Sequence, residues 1–582
     1  MKKFIVDDYP RPQFRRTSFI NLNGKWDFCL DFDQKGSALN YQDGLEKQNE
    51  INVPFAYETV PSGIGLEKRC DQVWYQKVFA YHKLEGKRLL LHLEGSDYLT
   101  TVYCNGTEVG FDSGAYHRET FDLTSALKEG ENKLVIRVQD DYSKEKPRGK
   151  QRWEDQNFGC WYVDTTGIYK TVWMEEVNDV YLQDIVLLPD AKKKELKAIL
   201  KLNEASSLDA TLCLSYEGKV VASKTFFLAN KENEVILDIE EGLHLWGSLK
   251  PEIYDLDIVL KQKGKKIDEV KSYVAFRTLE AKNGKIYLND TPIYQKLILD
   301  QGYFDEGKLT PKDGEEILRD ITLMMDIGFN GARKHQKIED ERFYYYADML
   351  GYIVWGEMPS MYAYTEKSKK TFEREYVLAL EQLRNHPSII TWVPFNESWG
   401  VDEIAHDKEM QDWVNSICAL TKKIDPSRFV ISNDGWEHVH SDIITIHDYE
   451  QDGDKLKAKF PNALAASTVK YEWRGKGAMA DGYTYKGQPM MLTEFGGTAF
   501  KDSYGGENKS WGYGEGVKDN LDFLHRLELL VKDTLELDCF EGYCYTQLSD
   551  VEQEVNGLVN TKREYKLPKE ALKAIFSLNK QQ

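Results

Sequence analysis

From about residue 281 to the C-terminus, eight short apolar runs alternate with stretches of helical periodicity. The runs are YQKLILD (294–300), FNGAR (329–333), YIVWGE (352–357), IITWVPFNE (389–397), FVISND (429–434), IITIHDY (443–449), PMMLTE (489–494) and GYCYTQL (542–548). Between them lie segments such as GEEILRDITLMMDIG and KKTFEREYVLALEQLRN, whose apolar residues recur at the spacing of one helix face. Eight strand–helix repeats over about 300 residues predict a (β/α)8 barrel. An open nucleotide-binding sheet would want a Gly-rich loop after its first strand. The segment after Leu297 has glycines at 302 and 307, which is the wrong spacing, and neither a P-loop nor an H-E-x-x-H motif occurs.

The residues before the barrel read as all-β. Short alternating segments such as WDFCLDF, VWYQKVF, RLLLHLEG and NKLVIRVQD are separated by turn residues, which predicts a β jelly-roll sandwich over 1–177. ATLCLSYEG, EVILDIE and YDLDIVLKQKG fall in a stretch of immunoglobulin-like length, 178–280, leaving 281–582 for the barrel.

Barrel active sites gather at the C-terminal ends of the strands. There the second strand ends in Arg333, followed by Lys334, His335, Gln336 and Lys337. The third ends in Glu357, the fourth in Asn396-Glu397, the sixth in Asp448-Tyr449 and the seventh in Glu494; the eighth carries Tyr545 and Gln547. Two carboxylates from nearly opposite strands suit glycoside hydrolysis, in which one protonates the leaving oxygen and the other attacks the anomeric carbon or activates water.

Charge narrows the partners. Lysines and arginines against acids give 76 − 96 = −20 over 582 residues, which argues against a nucleic-acid backbone. No apolar run approaches the roughly 18 residues of a membrane span. Eight cysteines are scattered with no C-x-x-C pair, so reduced thiols in a cytoplasmic protein are expected. The N-terminal MKKFIVDDYPRP lacks the 7–15 residue apolar segment of a secretory signal. His335, His438, His440 and His447 form no spaced ligand set, so neither metal nor cofactor is expected. The aromatic content of 12% suits sugars as well as cores. The oligomeric state is left open, a homo-oligomer included.

WVPFNESWG (392–400) and QPMMLTEFGG (488–497) closely resemble the acid/base and nucleophile motifs of glycoside hydrolase family 2, the family of β-galactosidases, β-glucuronidases and β-mannosidases. RPQFRRTSFINLNGKWDF (11–28), TTGIYKTVWMEEV (165–177) and FRTLEAKNGKIYLNDTPIY (276–294) resemble its N-terminal segment, the end of its sugar-binding sandwich and its entry into the barrel. The resemblance implies a retaining exo-β-glycosidase acting on a carbohydrate or glycoconjugate. It implies Glu397 as general acid/base, Glu494 as nucleophile, Asn396 on the sugar 2-hydroxyl, Arg333 beside Glu494, and Tyr449 against the nucleophile or ring oxygen. Trp399, in the same motif as Glu397, with Gln336, Asp300, Glu357 and Tyr545, completes the expected sugar contacts.

Departures bear on the sugar. The family's second strand usually reads Arg-x-Ser-His-Tyr-Pro, where this chain has Arg333-Lys334-His335-Gln336-Lys337. At the first strand His-Glu is replaced by Leu299-Asp300-Gln301, and a tryptophan of the eighth by the region of Tyr545-Thr546. β-Glucuronidases grip the sugar carboxylate with an Asn-x-Lys element; Asn560-Thr561-Lys562 has those letters but aligns with the family's closing segment. The cations at 333, 334 and 337 either pair with Glu339, Asp340 and Glu357 or receive a uronic acid. The expectation leans to a β-hexuronidase for glucuronides or galacturonides. A β-galactosidase is the alternative, and a catalytically silent carbohydrate-binding protein a distant third.

Overall fold

A computed structural model describes residues 9–580 apart from 18, 46–47, 241, 472–474 and 501–509. Residues 1–8, the start of the segment read for a secretory signal, lie outside the described residues.

Two β-sandwiches precede the barrel, as the turn-punctuated alternation predicts. The first packs a six-stranded antiparallel sheet on a four-stranded one. Trp26, Phe28, Val73, Tyr75, Leu89, Leu91, Leu134 and Ile136 fill the space between them. The second packs three strands against four. Its strand Glu195–Leu202 alternates strictly, burying Leu196, Ala198, Leu200 and Leu202. One face on the core and one toward water is the pattern that period-2 sequences encode.

The barrel strands are β1 (Gln295–Asp300), β2 (Gly331–Lys334), β3 (Ile353–Glu357), β4 (Ile389–Val393), β5 (Phe429–Val430), β6 (Ile444–His447), β7 (Met490–Gly496) and β8 (Gly542–Thr546). Their spatial order is 5-4-3-2-1-8-7-6, all parallel. β5 is only two residues long, far shorter than the apolar run FVISND. The seam between β5 and β6 is crossed by the His447 amide donating to the Gly435 carbonyl at 3.3 Å. Every residue of β2, β3 and β4 is buried, as expected of parallel strands covered on both faces. Helices follow most strands, including α1 (Gly314–Asp326) after β1, α2 (Glu341–Leu350) after β2 and α3 (Glu366–Leu383) after β3. Among the described residues no helix is long and apolar enough to cross a membrane, and all eight cysteines are unpaired.

The first sandwich also reaches over the barrel. The Arg148 amide donates to the Ser360 carbonyl at 2.9 Å, and Trp511 Nε1 and Gln553 Nε2 donate to the Gly159 carbonyl at 2.8 and 2.9 Å. The loop around residues 148–162 therefore forms one wall above the C-terminal ends of the strands.

Candidate active site

The site is built on strand parity. Leu297 and Leu299 of β1, Ile353 and Trp355 of β3, and Cys544 of β8 share one apolar cluster inside the barrel. Arg333 and Glu357 belong to this inward set. The Arg333 guanidinium is fully buried and donates from Nε to Glu357 Oε2 at 2.6 Å, from Nη1 to Glu494 Oε1 at 2.8 Å, and from Nη2 to Asn396 Oδ1 at 2.6 Å. It also pairs with Asp434 at 2.9 Å. Arg333 thus collects residues from β3, β7 and the loops after β4 and β5, and keeps the buried carboxylates from repelling one another.

Glu494 has its second oxygen bonded by the Tyr449 hydroxyl. Burial pushes this carboxyl up; His447, Arg333 and His335, with the Tyr449 hydrogen bond, override that and hold it far down, at about 2. Glu494 is therefore an ionised carboxylate at neutral pH, with both oxygens directed by neighbours.

Glu397 follows Asn396 in a tight turn where Glu397 and Ser398 both have positive φ, 51° and 61°. Two successive non-glycine residues in the left-handed region are uncommon, and such strain clusters at functional sites. The turn is fixed by the Glu397 amide donating to the Asp434 carbonyl at 3.0 Å and the Ser398 amide to Asn433 Oδ1 at 2.9 Å. Asn396 uses its oxygen on Arg333, while Nδ2 is buried with no partner among the described residues. A free amide donor beside the two carboxylates is what a sugar hydroxyl requires.

His447 joins the halves. Its Nε2 faces Asp434 Oδ2 at 3.1 Å, and its Nδ1 faces Glu397 Oε1 at 3.0 Å and Glu494 Oε2 at 3.5 Å. Burial opposes its charge, but Glu494 and Asp434 outweigh burial and push the imidazole up to about 10. It carries protons on both nitrogens at neutral pH. Glu397, His447 and Glu494 each bring one donor atom within 4.8 Å of the others, a spacing that would suit a metal ion.

These groups open on a cavity of about 350 Å³ lined by Glu397, Glu494, Asn396, His335, Gln301, Thr546, Glu554, Trp399 and, from the first sandwich, Lys150, Cys160 and Trp161. A larger cavity of about 1130 Å³ shares Glu397, Tyr449 and Tyr513 with it and extends to the exposed Asp454, Lys455 and Glu515. Glu397 stands at the junction. Trp161 and Trp399 meet with ring centres 5.6 Å apart, forming part of an aromatic wall.

Arg333, Asn396, Glu397, Tyr449, Glu494 and Trp399 are thus brought together. Glu357 lies beneath them, tied to Arg333, to His335 at 3.0 Å and to the Gln336 side chain at 2.8 Å; Gln336 also accepts from the Ser360 amide and serves as a brace. Several expected contacts do not reach the cavity lining. Lys334 follows inward-facing Arg333, so it points outward and pairs with Asp300 at 2.8 Å and Glu339 at 2.7 Å. Asp300 is outward for the same reason. Lys337 bonds Glu339 at 2.8 Å and the Gly302 and Leu309 carbonyls. Of the other acids expected to pair with them, Asp340 caps α2 and holds Arg342, and Glu357 belongs to Arg333. The reading of Lys334 and Lys337 as sugar-carboxylate ligands is therefore corrected. Tyr545 is corrected likewise: it packs outward on Phe495 and Phe576, and Thr546 lines the cavity instead. Asn560 and Lys562 form a turn, with Asn560 bonded to Glu564.

Sequence reasoning missed Asp434, Lys150, Cys160, Trp161, Gln301 and Glu554, and saw His447 only as a possible metal ligand. His447 carried a signal, because it lies two residues before Tyr449 on the same strand end; the residues from the first sandwich carried none.

Comparison with known proteins agrees with this architecture. Residues 44–171 match the family described as glycosyl hydrolase 2 galactose-binding domain-like, and residues 180–277 match glycosyl hydrolases family 2. Residues 279–574 match the glycosyl hydrolases family 2 TIM barrel domain. A putative β-glucuronidase of Formosa agariphila is 27% identical over 437 residues, covering 72% of this chain and 51% of the relative. A β-galactosidase of Thermoanaerobacter pseudethanolicus is 26% identical over 424 residues, covering 70% and 54%. The chain thus spans about half the length of these curated relatives. The β-glucuronidase of Ruminococcus gnavus, solved with D-glucuronic acid, superposes with a TM-score of 0.78 at 17% identity, over 97% of this chain and 98% of that one. With the barrel match alone taking in 296 of the 582 residues and the two sandwich matches preceding it in order, the chain belongs to glycosyl hydrolase family 2.

Proposed function

We propose that the chain is a retaining exo-β-glycosidase that removes terminal β-linked sugars by double displacement, with Glu494 as nucleophile and Glu397 as general acid/base. The observation that carries this is the pair itself. Oxygens of Glu397 and Glu494 lie within 4.8 Å of one another. Retaining enzymes keep the two carboxyl groups about 5–5.5 Å apart, whereas inverting ones leave about 6.5–9.5 Å for a water.

The surroundings divide the roles. Glu494, held ionised by His447 and Arg333 and aimed by Tyr449, attacks the anomeric carbon from inside the cavity. Glu397, at the opening toward the larger cavity, gives its proton to the departing oxygen. It then takes a proton from the water that cleaves the glycosyl ester, so Glu494 returns as a carboxylate. Asn396 Nδ2 would bind the 2-hydroxyl, a contact that strengthens in an oxocarbenium-like transition state.

For the sugar, a β-hexuronide is the leading reading and a β-galactoside the second; the relatives carry both names. The eight unpaired thiols favour a reducing compartment such as the cytoplasm. The test is a panel of p-nitrophenyl β-glucuronide, galacturonide, galactoside, glucoside and mannoside, with the first-formed anomer read by proton NMR. Hydrolysis with a β-configured first product supports the proposal; an α first product rejects retention.

A further inference from the structure

Lys150 is the buried cation of the pocket that the chemistry above does not use. It is 6% exposed, lines the 350 Å³ cavity with Glu397 and Glu494, and comes from the first sandwich. Its backbone is fixed, since its carbonyl accepts from the Tyr162 amide at 2.8 Å and neighbouring Arg148 is bonded to the Ser360 backbone. The ammonium lies 5.4 Å from the ring centre of Trp399 and 5.9 Å from that of Tyr162.

Its ammonium stands beside the Cys160 thiol, which burial pushes up to about 11. Among the described residues no carboxylate lies within 4 Å of Lys150. The acids of the cavity are engaged elsewhere: Glu554 accepts from Tyr162, Gln301 and Asn556, and Glu494 from Arg333 and Tyr449. Burial acts against the Lys150 charge, yet Cys160, Glu554, Glu494 and Glu397 together outweigh it and raise its pKa. The ammonium is thus kept charged by acids that do not contact it, and a charge-assisted contact is what an anionic ligand can add.

We propose that Lys150, carried into the barrel pocket by the first sandwich, is a specificity-determining residue that pairs with an anionic substituent, a carboxylate or a sulfate, on the terminal sugar. This rests on the glycosidase reading of the same pocket. It replaces the role that Lys334 and Lys337 cannot fill.

The test compares kcat/KM for p-nitrophenyl β-glucuronide, β-galacturonide, 6-sulfo-β-galactoside and β-galactoside in wild type, Lys150→Met and Lys150→Arg. The ratio of the preferred anionic substrate to the galactoside should fall roughly 10- to 150-fold in the methionine variant, the worth of a charge-assisted hydrogen bond, and recover in part with arginine. Which anionic substrate shows the fall separates carboxylate from sulfate. A ratio unchanged within about threefold overturns the proposal, because a purely structural role for Lys150 would lower all four substrates together. If the methionine variant fails to fold, wild-type inhibition decides: D-glucuronate or D-galacturonate should bind at least about tenfold more tightly than D-glucose or D-galactose, and equal binding overturns it. If wild type cleaves none of the four, nor the glucoside or mannoside, the glycosidase reading has failed separately. Calorimetric binding of the same free sugars to wild type and variant then still decides whether Lys150 selects an anion.

Discussion

Replacing His447 with glutamine removes one positive charge from between Glu397, Glu494 and Asp434 while keeping a side chain able to donate hydrogen bonds. His447 rises from 6.5 to about 10 in the fold. At 1.36 kcal/mol per pKa step, a rise of about 3.5 is on the order of 5 kcal/mol. Because the folded pKa is raised, that stabilisation is fully present below pH 6.5 and is lost as pH climbs through about 10. The chain has several domains and need not unfold in one step, so the readout is the thermal midpoint of wild type against His447→Gln, followed from pH 6 to 10. The gap between them should be widest near pH 6 and close toward pH 10. The same substitution withdraws an attraction that keeps Glu494 ionised. The acid limb of kcat/KM should therefore move to higher pH, with a loss of about 10- to 100-fold at neutral pH, as expected for a lost charge-assisted contact. A midpoint gap that stays constant across this range, or an unmoved acid limb, would refute the assignment of a protonated His447.

Two further outcomes follow from the geometry. Glu494→Gln should abolish turnover on every leaving group, whereas Glu397→Gln should retain turnover on good leaving groups such as dinitrophenol, which need no protonation; equal losses on activated and unactivated substrates in Glu397→Gln would reject it as the acid, and turnover kept by Glu494→Gln would reject it as the nucleophile. Lys334→Met should destabilise the barrel by about 3–5 kcal/mol, because Asp300 and Glu339 lose a buried partner. It should leave the ratio of uronide to galactoside hydrolysis unchanged, and a shift in that ratio without loss of stability would return Lys334 to the pocket.

Much of this was legible in the chain. Eight apolar runs with helical spacers define the barrel because parallel strands must be buried on both faces. Strand-end chemistry singled out Arg333, Asn396, Glu397, Tyr449 and Glu494, which the fold brings together. The misplacements of Lys334, Asp300 and Tyr545 have one cause. With Arg333 inside the barrel, a period of two sends Lys334 outside, and with Leu299 inside it sends Asp300 outside to meet that lysine; Tyr545 beside inward Cys544 is the same case. Strand parity was thus available in the sequence, and the density of cations at 333–337 obscured it. Asp434 was harder to see, because β5 stops at Val430 and a loop carries the acid inward. Lys150, Cys160 and Trp161 were beyond local reasoning, since only the docking of one domain on another places a sandwich loop over the barrel.

Double displacement requires a covalent glycosyl ester on the nucleophile. A 2-deoxy-2-fluoro-β-glycosyl fluoride of the sugar that proves to be the best substrate slows both displacements and lets the ester accumulate, since the missing 2-hydroxyl contact weakens the transition state. Intact-mass spectrometry followed by peptide mapping should then find one sugar on each chain, attached to Glu494 in the peptide containing Met490–Gly496. A sugar on Glu397 or any other residue, or continued turnover of the substrate with no covalent adduct, would contradict that role for Glu494.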